Sequence, residues 1–380
     1  GLARVARYDA ERGLATLAVE PISRASADQR AGRAGRTAPG TCWRLWTESG
    51  HLNRAARHTP EIQRADLAEV VLLLHSLGVR SAADFDWLDR PERAAVQRAE
   101  RLLVSLGALS EAGDLTPAGR RMLRLPMHPR FGRMLVEAST RGCVPAACLC
   151  AALVSGRDLL MRVGRDDVRM QEAREVFEAS RTSDFHTLMR AFEHARRTGF
   201  SVEACRRAGL HAQTARQVEE TRRQFLQLAV REGLLAGAGE GGGAGEGPEP
   251  APGALERCLL AGFVDQLALR RDGGTLDCEL TEGRRATLAR ESVVQEAALF
   301  VAASVREVTG RGGTVTLLTQ CTAVSPEWLA EMFPQHLGSR VEHLYDRGQK
   351  RVAAVRVRRF LDLPLDQEHQ RELDPAAAGE

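Results

Sequence analysis

Residues 237–254 are the segment that most limits how this chain can fold, because they consist only of glycine, alanine, glutamate and proline. The segment has no large apolar side chain, so it cannot contribute to a hydrophobic core. We therefore predict a flexible linker at residues 237–254. This linker sets the boundary of a last domain, which we place at residues 255–362.

The sequence of this last domain is typical of a small β-barrel. Short β-compatible runs at 275–280, 298–307 and 314–322 are separated by glycine-rich turns, a pattern that favours an all-β domain. Residues 363–380 contain five acidic residues and one arginine. Such a composition predicts a disordered acidic tail.

Residues 352–360 alternate in polarity near the end of the predicted barrel. Val355 and Val357 lie opposite Arg356 and Arg358 if this segment is a strand, so one of its faces is basic. A basic strand face on a barrel fits single-stranded nucleic acid, but an ordinary solvated edge strand has the same pattern. The sequence leaves both interpretations open.

Residues 59–125 have the pattern of a winged helix. A first helix is predicted, with one buried face formed by Leu67, Val70, Val71 and Leu74. A second helix follows, with an apolar stripe formed by Val96, Ala99, Leu103 and Leu106. After it come a short hairpin, with its turn at residues 111–114, and a third helix that begins at Thr116 and Pro117. Taken alone, this order suggests a DNA-binding regulator.

Residues 126–236 remain helical in pattern, which predicts a helical bundle. Cys143, Cys148 and Cys150 are the closest group among the eight cysteines, and they lie in an apolar stretch. Buried thiols are therefore expected there, and no metal site is predicted. The absence of a CxxC pair in so long a chain fits a reducing compartment. No run of eighteen apolar residues exists, so no membrane partner is expected.

Residues 29–36, with the sequence QRAGRAGR, have the spacing of an anion-binding surface. In a helix Gln29, Arg33 and Arg36 fall at i, i+4 and i+7, on one face. Two guanidinium groups and an amide that point in one direction suit phosphate oxygens. The alternative is a solvated basic helix, because the 53 basic residues include only one lysine and many stretches are arginine-rich.

Glycine is unfavourable within this helix. Gly32 and Gly35 each cost about 1 kcal/mol relative to alanine in a helix interior. Close approach by a ligand or by a neighbouring element would explain them, and Gly32 is accordingly a predicted cofactor-binding residue. Ser26, with Gln29 three residues later, fits a capping box, and Ser23 is an alternative cap.

The motif and its flanks, PISRASAD before it and TAPGTCWRLW after it, resemble motif VI of DEAH-box RNA helicases. The resemblance implies that Gln29, Arg33 and Arg36 reach the ATP phosphates from a second RecA-like domain, with both arginines as arginine fingers. Arg30 is expected to hold local structure. Residues 1–58 would be the C-terminal remnant of that α/β domain.

Further segments carry the same resemblance. A predicted β-hairpin precedes the motif, as in the family, which makes Arg4, Arg7 and Arg12 candidate RNA contacts, although each also fits a solvated hairpin residue. Residues 59–125, 126–236 and 255–362 resemble the family's winged helix, its helical ratchet and its OB-like barrel. The resemblance therefore implies a multidomain, mainly α-helical protein of the bacterial HrpB type.

Two motifs of an ATPase are missing from the chain. Its only lysine, Lys350, is followed by Arg351, so no Walker A sequence exists, and no Asp-Glu-x-His tetrad occurs. Since the chain starts with Gly1 in a predicted strand, we expect an N-terminal RecA-like domain to precede it. We expect that the intact protein uses ATP with Mg²⁺, which the missing domain would mainly bind, and that this chain alone is inactive.

The expected partner is RNA, and a protein activator is a further candidate. The expected form is a cytoplasmic monomer. Two alternatives stay open. One is a non-catalytic nucleic-acid-binding module built from the winged helix and the barrel, and the other is a helicase paralogue that has lost its motor.

Overall fold

The computed structural model describes residues 1–9, 14–161, 168–178, 180–235, 250–310, 313–346 and 351–369. The chain divides into two compact units. The first contains Gly1–Val104 and Leu109–Leu115, and the second contains Ser105–Ala108 and Thr116–Glu380. We describe each unit by itself.

The first unit begins with a β-hairpin followed by short helices. Its elements are β1 (Leu2–Asp9), β2 (Leu14–Pro21), α1 (Arg24–Gly32), α2 (Glu48–Leu52), α3 (Ala68–Ser76) and α4 (Arg93–Ser105). The two strands pair antiparallel, from Leu2 opposite Pro21 to Asp9 opposite Leu14. The predicted hairpin is therefore present.

In the sequence, Trp43 and Leu45 alternate with Trp46, which predicts a strand at residues 41–47, but these residues form no strand. Trp43 is 84% exposed and Leu45 is 93% exposed. A strand is stabilised by a partner and by an apolar surface that covers one of its faces. The described part of the first unit offers neither to this segment.

The helices of the predicted winged helix follow the apolar stripes, with one difference. Leu67, Val71 and Leu74 are buried, but Val70 is exposed, so the buried face of α3 lies to one side of the predicted stripe. In α4 the side chains of Val96, Ala99 and Leu103 are buried as predicted. A bridge between Leu109 and Leu115 forms the short hairpin.

The second unit contains the remaining helices of the chain. They are α5 (Pro117–Leu123), α6 (Pro129–Arg141), α7 (Val144–Ser155), α8 (Val168–Glu175), α9 (Asp184–Arg197), α10 (Val202–Arg207), α11 (Ala212–Arg231), α12 (Ala254–Phe263) and α13 (Pro326–Met332). Thr116 caps α5 by accepting a hydrogen bond from the Gly119 amide at 3.0 Å. The predicted helical bundle is confirmed.

The helix α12 was not predicted, since the sequence placed the barrel directly after the linker. It packs against α6 and α7, so the bundle continues beyond residue 250. Gly262 allows this contact, because a Cβ there would stand 2.8 Å from the Arg130 carbonyl oxygen. The predicted linker at 237–254 lies outside the described residues up to residue 249, and Ala254 already belongs to α12.

Five strands close into a barrel, as the sequence predicted. They are β3 (Leu267–Arg270), β4 (Asp277–Leu280), β5 (Arg285–Leu288), β6 (Leu299–Gly310) and β7 (Gly313–Ala323). Their order around the barrel is β3-β4-β5-β7-β6. Leu280, Leu288, Phe300 and Leu318 lie in its core.

A separate three-stranded antiparallel sheet follows the barrel, in the order β10-β9-β8. Its strands are β8 (Leu337–Asp346), β9 (Arg351–Phe360) and β10 (Leu363–His369). The segment with Arg356 and Arg358 therefore belongs to this sheet and not to the barrel. The prediction of a disordered tail is wrong for residues 363–369, because they pair with β9. Residues 370–380 lie outside the described residues.

Candidate functional site

The start of α1 is held by several hydrogen bonds. The Ser23 side chain accepts from the Ser26 amide at 3.2 Å, so Ser23 is the cap and Ser26 is not. The amides of Arg24 and Ala25 donate to the carbonyl oxygens of Ala55 and Ala56 at 2.9 and 3.0 Å. Because these terminal amides have partners, the start of this helix is not free to bind an anion.

The end of α1 brings the motif residues to one side. The helix ends at Gly32, and a 3₁₀ turn continues from Arg33 to Gly35. Arg36 keeps right-handed helical angles, with φ −70° and ψ −35°. Since side chains at i and i+3 eclipse in a 3₁₀ helix, Arg33 and Arg36 fall on the same face.

The charges of this face have no partners in the part of the chain that the structure describes. Gln29, Arg33 and Arg36 are all exposed, and within the described residues neither arginine forms an ion pair. By contrast, the nearby Arg44 donates to the Asp28 carboxylate at 2.6 Å. The two free guanidinium groups fit phosphate oxygens. The segment 29–36 contains no carboxylate for Mg²⁺.

Packing within the chain does not explain Gly32 or Gly35. A Cβ added at either position would meet no atom within 4 Å. The glycine that packing requires is Gly40, where a Cβ would stand 2.1 Å from the Ala34 carbonyl oxygen. This contact places the segment after the motif directly against the 3₁₀ turn, and sequence reasoning missed it.

The other predicted RNA contacts lie on two strands, one in each unit. The backbones of Arg4 and Arg7 lie in β1, and Arg12 lies outside the described residues. Arg356 and Arg358 lie on the exposed face of β9, with Val355 and Val357 buried on the other face. The predicted alternation of β9 is thus confirmed.

The basic face of β9 is partly neutralised. The Arg358 Nε donates to Asp366 of β10 at 3.0 Å, which forms an ion pair with about half of each side chain exposed. The residues predicted as a disordered tail supply this carboxylate. A nucleic acid that binds Arg358 would have to displace it, which weakens the case for β9 as an RNA surface.

The three neighbouring cysteines of the helical bundle do not indicate a metal site or a nucleophilic site. Cys143, Cys148 and Cys150 are buried, as predicted, and burial raises the pKa of the Cys148 thiol to about 12. Among the described residues no group of three or more His, Cys, Asp and Glu side chains could hold a metal ion. A thiol with so high a pKa is a poor nucleophile at neutral pH.

A polar junction between the helical bundle and the barrel was not predicted. Asp184, at the start of α9, accepts hydrogen bonds from the Val293 and Cys321 amides at 2.8 and 2.7 Å and from the Ser292 hydroxyl at 3.0 Å. Its burial raises the pKa of this carboxyl group, while the hydrogen bonds favour its charged form. In the sequence, Ser183 and Asp184 indicate only the start of a helix.

The central part of the chain matches two families. The "Helicase associated domain (HA2), winged-helix" matches residues 99–127, and the "Helicase associated domain (HA2), ratchet-like" matches residues 128–222. The pre-mRNA-splicing factor ATP-dependent RNA helicase prp22 of Schizosaccharomyces pombe is 33% identical over 232 residues, which are 61% of this chain and 20% of that protein. Residues 99–222 are thus similar to the two helicase-associated (HA2) domains, and the chain is similar to an ATP-dependent RNA helicase over 61% of its length.

Solved structures of Escherichia coli HrpB have a fold similar to that of this chain. A structure described as a DExH-box NTPase aligns with a TM-score of 0.62 and 23% identity, over 99% of this chain and 39% of that one. A second, described as a DEAH/RHA helicase, aligns with a TM-score of 0.61 and 23% identity, over 99% of this chain and 40% of that one. The chain thus spans a fifth to two fifths of the length of these proteins.

The two matched domains do not include the motif at residues 29–36. The two helicase-associated domains cover residues 99–222, and Gln29, Arg33 and Arg36 lie before them. The roles of these residues therefore stay predictions. No helix in the described part of the chain is long and apolar enough to cross a membrane.

Proposed function

We propose that this chain is part of an ATP-dependent RNA helicase, in which Gln29, Arg33 and Arg36 bind the phosphates of ATP. The observation that carries the proposal is the single exposed face on which Arg33 and Arg36 lie without ion-pair partners among the described residues. The helicase-associated domains and the relatives named above support it.

In this proposal the two guanidinium groups act on the transferring phosphoryl group. Bound ATP with Mg²⁺ supplies the bond whose hydrolysis releases free energy. Arg33 and Arg36 stabilise the negative charge that develops on the phosphoryl oxygens. Gln29 donates its amide to a phosphate oxygen or orients water, and Gly32 leaves room for close approach. Carboxylates for Mg²⁺ and a Walker A loop come from an N-terminal RecA-like domain.

The remaining domains form the RNA path in this proposal. The hairpin β1–β2 acts as a wedge beside the strand, and the winged helix, ratchet and OB-like barrel guide RNA during 3′-to-5′ movement. We propose a cytoplasmic monomer. The chain without an N-terminal motor should not hydrolyse ATP, and measurable turnover by the purified 380-residue chain would refute this.

The test is RNA-stimulated ATPase activity of the chain joined to its N-terminal motor domain. Arg33→Ala should lower kcat by roughly 10³-fold or more, the usual effect of losing an arginine finger. Arg30→Ala is the matched control, because it removes another exposed arginine, three residues earlier in the motif. We expect it to change kcat by less than about tenfold, since Arg30 makes no proposed phosphate contact.

The opposite outcome would favour another function. If Arg33→Ala leaves turnover unchanged but weakens RNA binding, the motif is a basic nucleic-acid-binding helix. The non-catalytic binding module would then replace the helicase as the better proposal. Binding should be measured at two salt concentrations, because phosphate contacts make affinity depend on salt.

A further inference from the structure

A cavity of about 400 Å³ lies within the second unit, between the helical bundle and the barrel. Leu153 of α7 and Leu188 of α9 line one side, and Val308 of β6 and Leu317 of β7 line the other. Small-molecule sites typically have this volume, with mostly apolar walls and a few polar groups. None of the motif residues lies here, so a ligand in this cavity does not depend on the proposed function.

Three polar atoms of the lining residues lack hydrogen-bond partners among the described residues. They are Arg174 Nε, Thr187 Oγ1 and Gln320 Oε1, and each has almost no accessible surface. Thr187 as a whole is only 7% exposed. Buried polar groups almost always have partners, because leaving one unpaired is costly. Three of them around one cavity therefore require an explanation.

Gln320 is also in an unusual backbone conformation. Its φ is +54°, and the pairing of β6 with β7 omits the Ala303–Gln320 pair although the register is the same on both sides. The side-chain amide donates to the Leu153 carbonyl oxygen at 3.4 Å, which leaves its oxygen unpaired. Strained residues of this kind cluster at binding sites.

The charges of the cavity limit the ligand. Its carboxylates are Asp158, Glu178, Asp184 and Glu291, and its only cations among the described lining residues are Arg174 and Arg306. Arg306 is already paired with Asp158, at 2.6 and 2.7 Å. The surplus of negative charge disfavours a phosphate group in the cavity.

We propose that this cavity binds a nucleobase. A base is uncharged and planar, its two faces suit the aliphatic walls, and its edge carries both donors and acceptors. Small side-chain rotations would bring Arg174 Nε and Thr187 Oγ1 to its acceptors and Gln320 Oε1 to its exocyclic donor, since each of these atoms has almost no accessible surface. The volume admits a base with its ribose. The base comes either from a free nucleoside or from an RNA strand.

The test uses the full 380-residue chain without ATP. Adenosine, guanosine, cytidine and uridine are titrated singly by calorimetry, and at least one should bind with a Kd of about 1 mM or tighter. Thr187→Val and Gln320→Leu should each weaken this binding at least about tenfold, since each removes one hydrogen-bonding group. Thr187→Val keeps the side-chain volume and deletes only the unpaired hydroxyl.

Matched controls exist in the same unit. Thr214 is buried like Thr187, and Gln266 has an unpaired buried Oε1 like Gln320, but neither lines the cavity. Thr214→Val and Gln266→Leu should leave binding unchanged. If a cavity variant fails to fold, photo-crosslinking of wild type with 4-thiouridine and 8-azidoadenosine decides instead, and the adducts should fall in residues 153–188 or 289–320.

A second titration, with a short oligoribonucleotide, shows whether the base comes from a free nucleoside or from an RNA strand. Nucleoside binding that the two cavity variants weaken assigns the site to free nucleosides. If the two variants weaken only the binding of the oligonucleotide, the site binds a base of an RNA strand. The proposal is overturned if the two variants weaken the binding of neither ligand. It is also overturned if a nucleoside 5′-monophosphate binds more tightly than its nucleoside.

Discussion

Replacing Asp184 with alanine should destabilise the second unit more than its position at a helix start suggests. The carboxylate joins α9 to two segments of the barrel domain, through the amides of Val293 and Cys321 and the hydroxyl of Ser292. Asp184→Ala removes the acceptor for all three. The two backbone amides then remain buried without a partner, which is the costly part of the change.

The magnitude follows from these contacts. An unpaired buried amide costs about 1–3 kcal/mol, so two of them cost roughly 2–6 kcal/mol. Part of this loss is offset, because burial raises the pKa of Asp184 and its charge is therefore itself unfavourable in the folded state. We expect a net loss of about 2–4 kcal/mol, or roughly 4–16 °C in Tm for a unit of this size.

The assay is urea unfolding followed by circular dichroism, with Glu296→Ala as the control. Glu296 pairs with Arg181 at 2.5 Å near the same junction, but both side chains are about three-quarters exposed. Its removal should cost at most about 1 kcal/mol, as exposed ion pairs do. A loss below about 1 kcal/mol for Asp184→Ala would refute the reasoning, because the orphaned amides would then have found other partners.

Two further predictions concern buried charges in the second unit. Asp265→Ala should cost about 3–5 kcal/mol in urea unfolding, because it leaves the buried guanidinium of Arg130, which donates to Asp265 at 2.8 Å, without its carboxylate. The double variant Arg130→Met, Asp265→Leu should cost clearly less, and equal costs would contradict this. The hydrogen bond from His186 lowers the pKa of Glu256 below its ordinary 4.5, so its stabilising effect is present above that pH and is lost on acidification through the lowered pKa. Glu256→Gln should therefore reduce the loss of stability on acidification below pH 4.5, and an unchanged pH dependence would contradict the assignment.

Local patterns predicted the elements of this fold well. The stripe Val96, Ala99 and Leu103 marked α4, and the Thr116-Pro117 pair marked the start of α5. The predicted runs at 275–280, 298–307 and 314–322 marked three of the five barrel strands, β4, β6 and β7. In each case the signal lies within about one turn or one hairpin, where periodicity and capping operate.

The features that the sequence did not predict depend on contacts between distant parts of the chain. Asp184 meets Cys321 from 137 positions away, and the cavity at the junction is lined by five separate stretches of sequence. The strand β10 is stabilised by its pairing with β9, so its acidic composition alone predicted disorder wrongly. In the motif, the helical face of Arg33 and Arg36 and the alternative cap at Ser23 were predictable, but the contact of Gly40 with Ala34 was not.

The return of α12 to the bundle has a consequence for the integrity of the chain. Helix α12 packs against α6 and α7, and Cys258 Sγ lies 3.4 Å from Cys143 Sγ. The segments before and after residues 237–249 therefore share one hydrophobic core. Proteolytic cleavage in that stretch cuts one covalent connection and leaves the shared core intact. The two fragments should therefore remain associated, and separately expressed halves should reassemble when they are mixed.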